Sequence, residues 1–590
     1  MHDECSLPRA PFGARMAIVT TDSLSYTYPG SMEPALSGVS LEIDEGDYIA
    51  IVGANGSGKS TLVRCLNGLL QPPAGAVSVA GTDPATPDGR IAARRVLSLV
   101  FQSPPDQIVA SVVEEDVAFG LENLGVPRPA MRDRVDAALV AVDLLEERTR
   151  SPRFLSAGQQ QRLAVAGAIA MRPRVVAFDE ATSMIDPMGR AAVLGLMDDL
   201  VAGGIAVIHV THDMDEAARA RRIAVLSEGH LVFLGSPAGL FASDRLDVLR
   251  LARPRSYSAA LALGLEPVIG EDAAALGHRA AAALKSAPEF RQSPISTPVD
   301  TAPAFSLEAA SMSYLAGTES ERLAVDAVSL EVPAGSVVAL VGRTGSGKSS
   351  LLQLLDGLAL PDSGVALSLG VDTAGRNVDL RAVRMRAPLA VQRPESAIFE
   401  AYAGDEVAFG PRNQGLSGQI LVDRVRSAMD AAGLPFDEFR DRQPRTLSGG
   451  MKRRLALASI LSLDPDALLL DEPGSALDPA SRAEILNLIH EYAGYCTAVA
   501  AGRVRTVVMS THSMDEAAAA DLVAVMKAGA VVAFGPPARV FGDNWDESWG
   551  LDRPFAYQLQ AAMSTAVHEA TSLSAAHSSA PAYVKAGGPA

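Results

Sequence analysis

Two kinds of apolar run alternate along the chain. Short unbroken runs, such as Tyr48-Ile49-Ala50-Ile51-Val52, Val175-Val176-Ala177-Phe178 and Ile205 to Val210, predict buried strands of the parallel type. Others space their apolar residues at helical intervals, as Leu62, Val63, Leu66 and Leu69 do. The second half repeats the alternation. Its strand-like runs are Val337-Val338-Ala339-Leu340-Val341, Ala467-Leu468-Leu469-Leu470 and Thr506 to Met509, and its helical run is Leu351, Leu352, Leu354 and Leu355. The pattern predicts an α/β fold.

The repetition extends to polar landmarks. Gly53-Ala54-Asn55-Gly56-Ser57-Gly58-Lys59-Ser60-Thr61 returns as Gly342-Arg343-Thr344-Gly345-Ser346-Gly347-Lys348-Ser349-Ser350. Leu155-Ser156-Ala157-Gly158-Gln159 returns as Leu447-Ser448-Gly449-Gly450-Met451, Asp179-Glu180 as Asp471-Glu472, and Thr211-His212 as Thr511-His512. The offset runs from 342 − 53 = 289 to 512 − 212 = 300 residues, so the chain is a duplicated domain rather than a short-period solenoid. The expected plan is a flexible leader at 1–16, domains at 17–268 and 304–560, a linker at 269–303 and a disordered tail at 561–590. In the linker a short helix precedes a Pro- and Ser-containing stretch, and the tail is rich in Ala, Ser, His and Pro.

Composition narrows the classes. The chain has 590 residues, 48% hydrophobic and 20% charged, which suits folded domains with real cores. Its net charge of −18 disfavours general nucleic-acid binding, because phosphate backbones require a basic face. Cys5, Cys65 and Cys496 are scattered, which predicts neither a disulfide framework nor a metal cluster and fits a reducing compartment. No run of about 20 apolar residues predicts a membrane span, and the N-terminus lacks the apolar core of a signal peptide.

Strand, glycine-rich loop, helix is the context of a phosphate-binding loop. Its glycines let backbone N–H groups turn toward one anion, and the helix N-terminus adds partial positive charge. Lys59 and Lys348 are expected to reach the β- and γ-phosphates, and Ser60 and Ser349 to offer a hydroxyl to Mg²⁺. Asp179 and Asp471, at the ends of buried strands, suit the Mg²⁺ shell. Glu180 and Glu472 sit where a carboxylate can orient or deprotonate an attacking water, and His212 and His512 are candidates for a γ-phosphate contact.

Together these residues resemble the ATP-binding cassette (ABC) ATPases, over roughly residues 17–265 and 305–558. The Leu-Ser-x-Gly signature is the specific element. The resemblance implies two ABC-type P-loop NTPase nucleotide-binding domains in tandem, each a RecA-like α/β core with a helical subdomain, using ATP and Mg²⁺. Gly53, Asn55, Gly56, Ser57, Gly58, Lys59, Ser60, Thr61 and Tyr28 would then bind nucleotide, as would Gly342, Thr344, Gly345, Ser346, Gly347, Lys348, Ser349 and Ser350. Gln102 and Gln392 would join Ser60, Asp179, Ser349 and Asp471 around metal, and Glu180, Glu472, His212 and His512 would be catalytic. The family's head-to-tail pairing implies an intramolecular cassette dimer. Ser448 and Gly450 would face Lys59, and Ser156 and Gly158 would face Lys348. The copies differ: Ala157 and Met451 depart from the usual signature, and Ser183-Met184-Ile185-Asp186 contrasts with Ser475-Ala476-Leu477-Asp478. Tyr314 is the second copy's candidate for adenine stacking, with its register open. Two hydrolytic sites, rather than one active and one dead, are expected, with their equality left open.

The stretch from Gln102-Ser103-Pro104-Pro105-Asp106-Gln107 to Val117-Ala118-Phe119-Gly120 resembles the ATPase subunits of energy-coupling factor importers and their cobalt relatives. The second copy keeps a weaker form, Gln392-Arg393-Pro394-Glu395 and Asp405-Glu406-Val407-Ala408-Phe409-Gly410, with Ala397, Glu400 and Gly404 departing. That resemblance implies a transmembrane scaffold subunit and a small membrane substrate-binding subunit as partners, no nucleic acid, and a peripheral place on the cytoplasmic face of the cell membrane. Glu114, Glu115, Asp116, Asp405 and Glu406 are candidates for pairing with scaffold arginines, the alternative being an exposed helix start favoured by the dipole. The alternatives are the ATPase of an ABC exporter and a soluble tandem ABC protein acting on the ribosome. The charge and the linker disfavour the ribosomal one.

Overall fold

The computed structural model describes residues 17–182, 185, 187–284, 302–318, 321–392, 397–475, 477–493 and 505–578. The leader, Cys5, Cys496, residues 285–301 of the linker, Arg393 to Glu395, Ala476, and Ser183, Met184 and Asp186 lie outside the described residues. The chain divides into two compact units near Ala252 and Arg253.

In the first unit, five parallel strands and one antiparallel edge strand form a sheet. Its spatial order is Leu97–Val100, Val175–Asp179, Ala206–Val210, Tyr48–Val52, Arg222–Ser227, His230–Gly235. Every residue of Tyr48–Val52, Val175–Asp179 and Ala206–Val210 is buried, which explains their unbroken apolar runs. A three-stranded antiparallel sheet, Leu36–Asp44, Ala17–Tyr26, Val77–Val79, faces it. Leu62, Val63, Cys65 and Leu66 of the helix Lys59–Leu66 share one core with both sheets. The helices Val113–Asn123, Arg128–Ala141 and Ala157–Ala170 pack on one another as a helical subdomain.

The second unit repeats the plan: Leu389–Ala390, Ala467–Asp471, Thr506–Ser510, Val337–Gly342, Leu522–Lys527, Ala530–Gly535. Its antiparallel sheet is Arg322–Val332, Phe305–Tyr314, Ser363–Ser368, Val371–Asp372. Its subdomain helices Ala403–Asn413, Gly418–Ala431 and Gly449–Leu461 enclose a core around Val407, Met429, Phe436 and Leu455.

Two boundaries differ from the sequence expectation. Residues 253–268, expected in the first domain, belong to the second unit. The expected disordered tail starts inside a helix, Phe555–Ser578. One apolar cluster explains both: Ala260 of the helix Arg255–Ala262, Leu276 and Ala280 of Ala273–Leu284, and Leu559 and Met563 of the C-terminal helix are buried together. Gly277 allows the close approach, since a Cβ there would lie 2.5 Å from Ala562 Cβ. Alanine-rich segments look featureless as sequence but pack tightly when paired.

Candidate active site

The first unit's candidate residues gather where parallel strands end. Loops at the carboxyl ends of such strands form the natural crevice of an open α/β sheet. Tyr48–Val52 delivers the phosphate loop, Val175–Asp179 delivers Asp179 and Glu180, and Ala206–Val210 delivers His212. The loop's path demands glycine at two points. Gly53 and Gly58 have φ of 150° and 101°, and a Cβ would stand 2.1 Å from the Leu226 carbonyl oxygen and 2.5 Å from that of Ala35. Gly342 and Gly347 meet the same constraint against the Met526 and Ala324 carbonyl oxygens, at 2.4 and 2.3 Å.

Lys59 Nζ donates to the carbonyls of Gly53 and Ala54 at 2.9 and 3.0 Å, and Lys348 Nζ to those of Gly342 and Arg343 at 2.8 and 3.2 Å. Burial pulls both ammonium groups below the usual lysine range. The carboxylates Glu180 and Asp179, or Glu472 and Asp471, oppose that pull. The hydroxyls of Ser57 and Ser346 are buried without a hydrogen-bond partner. Orphaned donors inside a cradle of left-handed glycines fit a phosphate. Asn55, Gly56 and Thr61, with Thr344, Gly345 and Ser350, complete the two loops in sequence order.

Ser60 Oγ donates to Asp179 Oδ1 at 2.8 Å, and Arg64 Nη2 lies 3.8 Å from Asp179 Oδ2. Burial raises the Asp179 pKa. Gln102 Nε2 donates to Glu180 Oε2 at 2.8 Å, and His212 Nε2 lies 2.6 Å from Glu180 Oε1. The second unit matches: Gln392 to Glu472 at 2.7 Å and His512 to Glu472 at 2.7 Å. Burial alone would raise both glutamates. The hydrogen bond and charge of the adjacent histidine outweigh it and hold each carboxyl below its ordinary value. Both glutamates have φ of 52°, a left-handed conformation that costs energy in a non-glycine residue. The oxygen donors of Ser60, Gln102 and Asp179, and of Ser349, Gln392 and Asp471, fit Mg²⁺, a hard cation that prefers oxygen.

Tyr28 and Tyr314 take equivalent places. Tyr28 Oη is 3.1 Å from Thr61 Oγ1, and Tyr314 Oη is 3.1 Å from Ser350 Oγ, so the second tyrosine's register agrees with the first. The signatures stand on other elements. Ser156 caps the helix Ala157–Ala170 and Ser448 caps Gly449–Leu461, with Gly158 and Gly450 in the first turns. Ser156 and Gln159 form a reciprocal capping box, at 2.9 and 3.2 Å. Met451 supplies only its N–H to Ser448, at 3.3 Å, so the second helix has half that cap.

The acids expected to pair with a partner are mostly engaged within their own unit. Glu114 takes two bonds from Arg148, at 2.9 and 2.7 Å. Asp116 accepts from the amides of Val109 and Ala110, Glu406 from those of Phe399 and Glu400, and Asp405 pairs with Arg412. Glu115 is exposed. The segments also present apolar side chains outward: Val109 at 62% exposure, Phe399 at 63%, with Phe119, Tyr402 and Phe409 half-exposed. In the second unit a groove of about 470 Å³ opens there, lined by Ile398, Phe399, Glu400, Ala401, Gln443, Pro444, Arg445 and Lys452.

Sequence reasoning missed Glu216 and Glu516. Glu216 is buried and accepts from Thr182 at 2.9 Å, Thr211 at 2.6 Å and Arg190 at 2.7 Å, tying the segment after Glu180 to the one before His212. The repeated Met-Asp-Glu-Ala of residues 214–217 and 514–517 carried the signal.

Comparison with known proteins gives the family. The ABC transporter family profile matches residues 36–183 and 325–475. A provisionally named ABC transporter ATP-binding protein of Bifidobacterium longum is 34% identical over 87% of this chain and 65% of its own length. One from Methanosarcina acetivorans is 33% identical over 89% of this chain and 86% of its own. The energy-coupling factor transporter ATP-binding protein EcfA1 of Lacticaseibacillus paracasei is 46% identical over 41% of this chain and 86% of its own. The chain belongs to the ABC transporter family, as a tandem-cassette ATPase. No helix among the described residues is long and apolar enough to cross a membrane.

Proposed function

We propose that the chain energises an energy-coupling-factor-type importer of a vitamin or transition-metal ion. It works on the cytoplasmic face of the membrane, beneath a transmembrane scaffold subunit and a small substrate-binding membrane subunit. One observation carries this: the glutamine that donates to the candidate catalytic glutamate opens the very segment that presents an apolar surface. Gln102 touches Glu180, and seven residues later Val109 is exposed. A partner seated on Val109 has a short covalent path to the hydrolytic centre. The 46% identity to an energy-coupling factor ATPase supports the importer class.

In each site Mg²⁺ would be held by the serine, glutamine and aspartate, and would neutralise phosphate charge when bound. Glu180 and Glu472, ionised at neutral pH, would accept a proton from water, and His212 and His512 would orient them. The test is affinity capture of the tagged chain from detergent-solubilised membranes of its host. A multi-span scaffold with a small membrane protein supports the proposal. Ribosomal proteins, or an exporter's membrane domain, overturn it.

A further inference from the structure

The two units differ at the end of the strand that leads to His212 or His512. Val210 closes it in the first unit and Ser510 in the second. Ser510 is fully buried. Its hydroxyl donates to Asp471 Oδ1 at 2.6 Å and accepts the Glu472 amide N–H at 3.0 Å. One oxygen thus joins the candidate magnesium carboxylate to the backbone of the strained glutamate beside it. In the first unit Asp179 Oδ1 accepts from Ser60. The glutamate amide donates to the strand-end carbonyl in both units, Glu180 to Val210 at 3.0 Å and Glu472 to Ser510 at 3.2 Å, so the hydroxyl contacts are what distinguish the second.

We propose that Ser510 is a positioning residue particular to the second nucleotide site, holding Asp471 in its metal-receiving orientation independently of Ser349. The proposal rests on Asp471 being the magnesium carboxylate of an ATP site. A short O–H hydrogen bond to a carboxylate orients it. Valine cannot. In the first unit the hydroxyl that orients Asp179 belongs to Ser60, itself a member of the metal set, so ligand and positioner coincide. The second unit separates the two tasks. A fully buried hydroxyl is costly unless paired, and Ser510 is paired to the two groups whose geometry the chemistry needs.

The test uses the full chain carrying Lys59→Ala, so that the second site dominates binding of a fluorescent trinitrophenyl-ATP. Ser510→Val is expected to raise the Mg²⁺ concentration for half-maximal binding about tenfold, the scale of one hydrogen bond to a charged group, while binding in EDTA is unchanged. Ser510→Thr, which keeps the hydroxyl, restores the parent midpoint. The reciprocal Val210→Ser, in a chain carrying Lys348→Ala, lowers the first site's midpoint. An unshifted Ser510→Val midpoint, or equal weakening in EDTA, overturns the proposal. Absence of Mg²⁺-dependent binding in the Lys59→Ala parent overturns the Asp471 assignment and the proposal with it. None of these outcomes involves a membrane partner, so the importer proposal stands or falls separately.

Discussion

Beneath the first phosphate loop, Tyr48, His209 and Glu216 form a buried polar chain. Tyr48 Oη is 3.2 Å from His209 Nδ1, and His209 Nε2 is 3.3 Å from Glu216 Oε2. Beneath the second, the corresponding positions are Val337, Met509 and Glu516, and Glu516 pairs with Thr511 and Arg482. Burial pushes the Tyr48 hydroxyl well above its ordinary pKa. For Glu216 burial works in the same direction, but His209 and Arg190 outweigh it and hold the carboxyl low. Thr182 donates to Glu216 in the first unit. Gly474 stands opposite in the second, where a Cβ would come within 2.8 Å of Glu516 Oε1. Similar backbones therefore satisfy their buried polar groups with different partners. The accounting is obligatory, but the choice of donor is free wherever geometry permits.

The largest expected effect concerns the feature the units share. Changing both Glu180 and Glu472 to Gln should lower phosphate release at least about 100-fold, the lower end for a lost general base. Each single variant should retain part of the rate, and the two fractions measure the inequality of the sites. Full activity in either single variant removes that site from the hydrolytic pair.

Gly58→Ala and Gly347→Ala should each destabilise by about 2 kcal/mol or more, from left-handed strain plus a clash with a carbonyl. Gly56→Ala, with open space around it, should cost about 1 kcal/mol. Urea unfolding checks the ranking.

The third comparison exchanges the caps of the loop helices. Asn67 donates to the Leu97 carbonyl at 2.7 Å, whereas Asp356 is a carboxyl in the same place, buried at a helix C-terminus and pushed up to about 6. Its folded pKa exceeds the unfolded value of about 3.9, so its contribution is most favourable below that value and is lost as pH rises through about 6. Asp356→Asn should stabilise the second unit at pH 7 by about 2 kcal/mol and flatten its stability between pH 4 and 6, as thermal melts across that window would show. A variant less stable than the parent at pH 7 contradicts the assigned strain.

The smallest effect is expected from His209→Met, which installs the second unit's residue and should cost about 1 kcal/mol through the Tyr48 and Glu216 partners it strands. An unchanged melting temperature would mean that the polar chain adds no net stability.

Much of the site was legible because its chemistry is local in sequence. A loop of fixed glycine spacing, a carboxylate pair closing an apolar run, and a histidine after the next run each follow from a few adjacent residues, and duplication displayed them twice. Ser510 was passed over because its partner lies 39 residues away, on the neighbouring strand. The acids near Glu114, candidates for pairing with scaffold arginines or for an exposed helix start, turn out to be bonded mostly within their own unit. Their bonds to Arg148 and to amides seven residues back depend on how the helices fold over one another.

The sequence by itself determined the duplicated plan, the alternation of buried strands and helices, and the residue types at each phosphate loop, because periodicity and motif spacing express short-range constraints of the backbone. Only the tertiary structure decided which strands lie side by side, that Arg255–Ala262 and Ala273–Leu284 pack with the C-terminal helix, and which hydroxyl orients each aspartate. Those outcomes depend on contacts between segments far apart in the chain. The apolar area and buried hydrogen bonds at stake exist only after the segments have met.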